Sequence, residues 1–259
     1  MAEIHPTAIV SPKAELAEKV VVSAYAIIGE EVEVGAGTVI GPHTVIEGPT
    51  SIGKDNQIGA FIHIGGAPQH IEYKGEKTGL KIGERNQFRE FVTINRGTSF
   101  GIGETIVGND NFLMIGCHIA HDCVVGDGVI MANYVQIAGH CQVENNAVFG
   151  GLSGLHQHCR AGRAVMVGAI TAVTLDAPPF SMVIGERARF VGINLVGLKR
   201  MGFSEEKIKA IKQAYRIIRT SDLLLEETLK KLEQEMGEIP EVSEIIRFFK
   251  NTQRGVIIR

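Results

Sequence analysis

An aliphatic residue recurs at every sixth position through the first third of the chain: Ile4, Val10, Leu16, Val22, Ile28, Val34, Ile40, Ile46, Ile52, Ile58 and Ile64. That period is neither the 3.6 of a helix nor the 2 of a strand. It describes a short strand and a turn, repeated, and hexapeptide repeats of this kind mark a parallel β-helix. The residue two before the aliphatic is small at Ala8, Ala14, Ala26, Thr38, Thr44 and Thr50. Residues two apart on a strand share a face, so these are expected to fill the interior beside the aliphatics. Glycine follows the aliphatic at Gly29, Gly35, Gly41, Gly53, Gly59 and Gly65, where a tight corner with positive φ is expected. Three such faces make one triangular coil, rising roughly 4.8 Å, the spacing of paired strands.

The breaks in the period are as informative as the period. Ile82, Phe88 and Ile94 stay in phase, but the two intervening steps fall on the polar His70 and Glu76. The pattern then restarts one residue out of phase at Val107 and runs through Leu113, Ile119, Val125, Met131, Ile137, Val143, Phe149, Leu155, Ala161, Val167 and Val173. Loops are therefore expected near 66–81 and 95–106, and long loops inside a compact fold are usually functional. Pro178-Pro179 is expected to end the coil. Beyond it, Ser204 followed by two acids reads as a helix start. Ile208, Ile211, Ala214, Tyr215 and Ile218 follow at helical spacing. Ser221 or Asp222 is expected to cap a second helix with Leu225, Leu229 and Leu232 as its stripe, and Gly237 and Pro240 separate it from a third carrying Val242, Ile245, Ile246 and Phe249. The fold class is mainly β: a left-handed parallel β-helix over residues 1–190, followed by an α-helical C-terminal domain over 191–259.

With 31 glycines, no tryptophan and 44% hydrophobic residues, the composition suits a narrow coil interior. All four cysteines, Cys117, Cys123, Cys141 and Cys159, hold the small interior position. They are read as small buried hydrophobes rather than a metal or disulfide set. A net charge of −3 gives no indication of nucleic-acid binding. The chain has no apolar run of transmembrane length and its N-terminus lacks a signal-peptide layout, so a cytoplasmic location is expected.

Five histidines, His118, His121, His140, His156 and His158, lie in the second half of the coil, none at an interior position. They are expected to point outward or sit at corners. His121 beside Asp122 suggests an imidazole oriented by a carboxylate, the arrangement of a general base.

The stretch Asn111-Phe-Leu-Met-Ile-Gly-Cys-His-Ile-Ala-His-Asp-Cys123 resembles the UDP-N-acetylglucosamine acyltransferases of lipid A biosynthesis. So do Ile137-Ala-Gly-His140, Gly150-Gly-Leu-Ser-Gly-Leu-His-Gln-His-Cys159, Gly192-Ile-Asn-Leu-Val-Gly-Leu-Lys-Arg-Met-Gly-Phe203 and the C-terminal Arg254-Gly-Val-Ile-Ile-Arg259. The resemblance covers essentially the whole chain. It implies transfer of an (R)-3-hydroxyacyl group from acyl carrier protein to the 3-hydroxyl of UDP-N-acetylglucosamine, by a homotrimer with sites between neighbouring coils and with no cofactor or metal. By matching position, His121 would be the base, Asp122 its orienting partner and the Gly139 N–H the oxyanion donor. Gln69, His70, His118 and His140 would hold the sugar and acyl substrates. His156, Gln157, Asn194 and Arg200 would face the nucleotide, while Met166, Ala169 and Arg187 would flank the acyl-chain tail.

The first loop departs from the family pattern, which usually reads Gln-Asp-Leu-Lys-Tyr. Here His70 stands in the aspartate position and Glu72 in the lysine position, and Val196 and Met201 replace polar residues near the nucleotide. Either the substrate is unchanged or the acceptor is a 3-amino sugar. Arg160, Arg163, Arg187, Arg189, Lys199, Arg200, Arg216 and Arg219 are the candidates for meeting an acidic carrier protein. The rival classes are a coenzyme-A-dependent sugar acetyltransferase, a γ-type zinc carbonic anhydrase using His118, His121 and His140, and a non-catalytic scaffold.

Overall fold

A computed structural model describes residues 1–258. It is a left-handed parallel β-helix of three sheets. Among the described residues, sheet A has eleven strands from Glu3–Ile4 to Arg189–Ile193, sheet B nine from Ile9–Val10 to Ala172–Val173, and sheet C eight from Glu15–Leu16 to Arg160–Ala161. One coil is eighteen residues, as Val21 pairing with Val39 shows. Ile64, however, pairs with Ile94, and Ile94 with Ile119. The first gap is thirty residues and the second twenty-five, so two insertions of twelve and seven residues are looped out, with the register shifting only between Ile64 and Gly66, where the first one leaves. Both leave the coil at one place, the corner where sheet B turns into sheet C. They run between strands His63–Gly66 and Gly79–Ile82, and between Thr93–Asn95 and Glu104–Val107.

The aliphatic column is buried from Val22 upward, with the small residues beside it. Burial of each such side chain contributes about 1.5–3 kcal/mol. The cysteines occupy this interior as read; the Cys117 Sγ–H donates to the Ala132 carbonyl at 3.0 Å and that of Cys123 to Ala138 at 3.1 Å. Burial pushes the Cys117 and Cys159 thiols up to about 11, so they remain protonated.

The glycines after the aliphatics do not take positive φ, apart from Gly65. They are selected by the closeness of adjacent coils. A Cβ on Gly35 would lie 2.6 Å from the Gly53 carbonyl carbon, and one on Gly41 2.4 Å from the Gly59 oxygen. The left-handed corner sits instead three residues before each aliphatic and is mostly not glycine: Tyr25, His43, Phe61, Phe91, Asp122, His140 and His158 have φ between 56° and 63°. The strands hydrogen-bonded on both sides of the corner hold the backbone in this costly region.

Pro178-Pro179 does not end the sheet. Both prolines lie in the turn, Phe180 takes the corner at φ 61°, and strand Ser181–Ile184 rejoins sheet A in parallel with Met166–Val167. An antiparallel hairpin to Arg189–Ile193 then closes that sheet. Four helices follow: α1 (Leu195–Arg200), α2 (Glu205–Thr220), α3 (Leu225–Met236) and α4 (Pro240–Lys250). Ser204 caps α2 by accepting the Lys207 N–H. Neither Ser221 nor Asp222 caps α3. Ser221 closes α2, its N–H donating to the Ile217 carbonyl, and α3 starts only after Leu224. Leu225 is therefore exposed, while Leu229 and Leu232 are buried. Arg160 pairs with Asp176 and donates to the Phe248 carbonyl of α4 at 2.7 Å, and Arg163 pairs with Glu244 of α4, so these two arginines join the coil to the helices.

Candidate active site

His121 and Asp122 sit in the turn that follows strand His118–Ile119, at the corner between sheets B and C, directly beyond the two loops. The loop from 96 to 103 is wrapped around the Asp122 carboxylate. The Thr98 hydroxyl donates to Oδ2 at 2.6 Å, the Thr98 amide lies 3.1 Å from both oxygens, and the Gly103 amide is 3.3 Å from Oδ1. Gly101 is packed so closely on the carboxylate that a Cβ there would fall 2.2 Å from its carbon. Burial alone would raise the Asp122 carboxyl. The hydrogen bonds from Thr98 and His121 and the nearby His140 outweigh burial and hold it below its usual value.

An ionised Asp122 decides the tautomer of His121. His121 Nδ1 is 2.8 Å from Asp122 Oδ2, so Nδ1–H donates and Nε2 keeps a free lone pair. The expectation that the histidines point away from the core holds in direction but not in exposure: His121 lies outside the coil interior yet is only 6% exposed. The His70 ring meets it edge-on at 5.4 Å and the His140 ring at 4.9 Å. Gly139, one coil further, closes the remaining side; a Cβ there would lie 2.7 Å from His121 Cε1. Only glycine fits, and the Gly139 N–H donates to no acceptor among the described residues.

The dyad opens onto a cleft of about 760 Å³ along the outer face of sheet B. The outward column His118, Gln136, Gly154, Ala172 shrinks from imidazole to hydrogen and methyl, which hollows the face. Gln69, His70, His118, His121, Gly139, His156 and Gln157 all line it. His118 Nδ1 is 2.8 Å from the Thr93 hydroxyl. Burial, with the adjacent His121, lowers the His118 pKa. Burial also lowers that of His140, which stacks on His158 at 4.5 Å behind the dyad and does not line the cleft.

The remaining sequence candidates lie elsewhere. Asn194 is buried as the N-cap of α1, accepting the Gly197 N–H at 3.0 Å and donating to the Ala164 carbonyl at 3.0 Å. Arg200 ends α1, exposed; Met166 faces outward from sheet A, and Ala169 and Arg187 are exposed. None of these five lines the cleft of the same chain. Sequence reasoning missed Thr98, Gly101 and Gly103; the signal was a seven-residue insertion placed one coil before the His-Asp pair.

Ligand atoms of His121, Asp122 and His140 lie within 4.8 Å of one another, a spacing that could hold a metal ion. The donor chemistry argues for a hydrogen-bonded dyad. Both Asp122 oxygens already accept N–H or O–H donors, which would have to be displaced by a cation. His118, the third ligand of the zinc reading, is not in the group.

Comparison with known proteins agrees with this geometry. Residues 176–257 match the family model for domain 2 of UDP-N-acetylglucosamine O-acyltransferase, and 104–139 match the six-repeat bacterial transferase hexapeptide model. The acyl-[acyl-carrier-protein]–UDP-N-acetylglucosamine O-acyltransferase of Janthinobacterium is 51% identical, over 99% of this chain and 100% of its own. The chain belongs to the UDP-N-acetylglucosamine O-acyltransferase family. Among solved structures, the family member from Moraxella catarrhalis superposes with a TM-score of 0.95 at 40% identity, covering 98% of this chain and 99% of that one. The Francisella novicida acyltransferase gives 0.96 at 33% identity, covering 98% and 93%. Within the family fold, this chain's loop presents His70 to the cleft, resting on Phe100 at 4.7 Å, while Glu72 is exposed and does not line the cleft.

Proposed function

We propose that this enzyme transfers an (R)-3-hydroxyacyl chain from acyl carrier protein to the 3-hydroxyl of UDP-N-acetylglucosamine, the first step of lipid A synthesis, with His121 as general base. The observation that carries the role of His121 is its geometry: an imidazole whose Nδ1 is held at 2.8 Å by an anionic Asp122, with Nε2 free at the edge of a large cleft. Nε2 takes the hydroxyl proton as the sugar oxygen attacks the thioester carbonyl. The Gly139 N–H receives the oxyanion of the tetrahedral intermediate. Collapse breaks the C–S bond, and the leaving thiolate recovers the proton from the imidazolium. A thioester is already activated, so a base, one oxyanion donor and positioning suffice, and no cofactor or metal step enters.

Gln69, His70, His118 and His140 hold the acceptor and acyl chain in this reading, His140 from behind the dyad. His156, Gln157, Asn194 and Arg200 face the nucleotide, and Met166, Ala169 and Arg187 the acyl tail. Gln69, His70, His118, His156 and Gln157 line the cleft from the first loop and from sheet B and its turns, while Met166, Ala169 and Arg187 lie on or at the turns of sheet A and Asn194 and Arg200 at α1. Two copies side by side could bring the sets together, which supports a homotrimer with sites between coils. The proposed division is a coil domain, 1–190, and a helical domain, 191–259, with strand Arg189–Ile193 crossing the boundary. The carrier protein meets exposed bases among Arg187, Arg189, Lys199, Arg200, Arg216 and Arg219. No helix among the described residues is long and apolar enough to cross a membrane. That is compatible with a cytoplasmic enzyme.

The departures at His70 and Glu72 leave a 3-amino acceptor as the alternative reading, and kcat/KM for the two UDP-sugars separates them. Replacing His121 by Ala should leave a folded protein with acyl transfer reduced by about 10³-fold, within the range for removal of a general base. Near-normal turnover would remove His121 from the mechanism.

A further inference from the structure

We propose that Arg96 is a positioning residue for the sugar-nucleotide acceptor, acting through the loop 67–78 that it fastens to the coil. The inference rests on the reading that Gln69 and His70, carried by that loop, meet the acceptor. Gln69 makes no hydrogen bond among the described residues, so its placement depends on the pose of the loop that bears it. Arg96 holds both the root and the far bend of this loop. Its Nη1 donates to the Gly65 carbonyl at 2.6 Å, and its Nε and Nη2 donate to the Tyr73 hydroxyl at 3.3 and 3.1 Å. The guanidinium lies 5.8 Å from the Tyr73 ring centroid and 3.7 Å from Glu47, with the side chain only 15% exposed.

Its neighbours complete the strap. The Asn95 amide donates to the Ala67 carbonyl at 3.0 Å, and the Gly97 N–H to the Gly79 carbonyl at 3.0 Å. Three consecutive residues at the start of the second loop therefore pin both ends of the first. Arg96 alone among them reaches Tyr73. The planar fork explains the residue: one guanidinium serves two acceptors in different directions, which a lysine cannot do. A loop held in its binding pose before the acceptor arrives avoids the ordering cost of binding.

The two substrates give the test. Steady-state kinetics of Arg96→Met, Arg96→Lys and Tyr73→Phe are measured with UDP-N-acetylglucosamine and 3-hydroxyacyl carrier protein. Arg96→Met should raise the acceptor KM about tenfold while kcat at saturating acceptor falls far less. Arg96→Lys should recover part of the loss, since it keeps one donor for Gly65 and the charge facing Glu47. Tyr73→Phe should show a smaller rise in the same constant. This last variant reads the same effect if Arg96→Met fails to fold. The KM for the carrier thioester should stay put. An unchanged acceptor KM in folded Arg96→Met or in Tyr73→Phe, or a loss confined to kcat, would overturn the proposal. Gln69→Ala assayed alongside tells the two failures apart: an unchanged acceptor KM there takes the loop away from the acceptor, whereas a raised one beside an unchanged Arg96→Met overturns the role of Arg96 alone.

Discussion

Two corners of the same coil use one backbone position for opposite ends. Where sheet A turns into sheet B, the left-handed position carries Tyr25, His43, Phe61 and Phe91, whose rings stack at centroid distances of 5.0, 4.9 and 5.6 Å. Where sheet B turns into sheet C, it carries Asp122, His140 and His158, and the two imidazoles stack at 4.5 Å. The φ values are the same within a few degrees. Each column carries histidine, yet His43 has two aromatic neighbours and no carboxylate among the described residues, while His140 lies 3.9 Å from the Asp122 carboxylate. Only the B-to-C corner also receives loops, which bury the polar groups and supply amide donors. Chemistry thus arises where an ordinary corner is covered, not where the backbone is special.

The largest effect expected on this contrast comes from Asp122→Asn. The amide cannot hold the Nδ1–H tautomer, and its NH₂ faces the donors of Thr98. Turnover should fall about 10³-fold, the triad precedent being larger still; retention of most activity would show that the covered corner is dispensable. Gly139→Ala places a methyl 2.7 Å from His121 Cε1 and should displace the ring, with kcat down about 100-fold in a protein of near-normal stability. A smaller signature lies in stability against pH. His118 and His140 have pKa values lowered in the fold, so the unfolded chain binds more protons as pH falls below about 6.5. Stability is then complete above that point and declines on acidification, and Tm for His118→Asn should decline less between about pH 7 and pH 5. Phe61→Ala, at the uncovered corner, should cost about 0.5–1.5 kcal/mol of stability from its ring contacts and leave the pH profile of kcat in place.

What the sequence could reveal follows from what is periodic. The aliphatic column, the interior cysteines and the offsets of the loops are periodic or phase-dependent, so they were legible. The corner was misplaced because glycine has two uses. After the aliphatic it admits the neighbouring coil, whereas the positive φ three residues before it is met by Tyr, Phe, His and Asp under constraint from both flanking strands. The His-Asp pair was visible as neighbours in sequence. Its supports were not, because Thr98, Gly101 and Gly103 reach it only through the stacking of coils. Asn194 matched a family position, but its work as a helix cap depends on Ala164, thirty residues away.

The corner also bears on how such a chain can change over evolution. Because the position three before each aliphatic already tolerates aromatic, acidic and imidazole side chains, it is open to substitution without disturbing the interior. New binding functions can therefore be tried one corner at a time on a scaffold that keeps folding. Loop insertions are tolerated for the same reason, since each begins and ends between strands that still pair with the coils on either side. An old core and a young active site can coexist in one molecule.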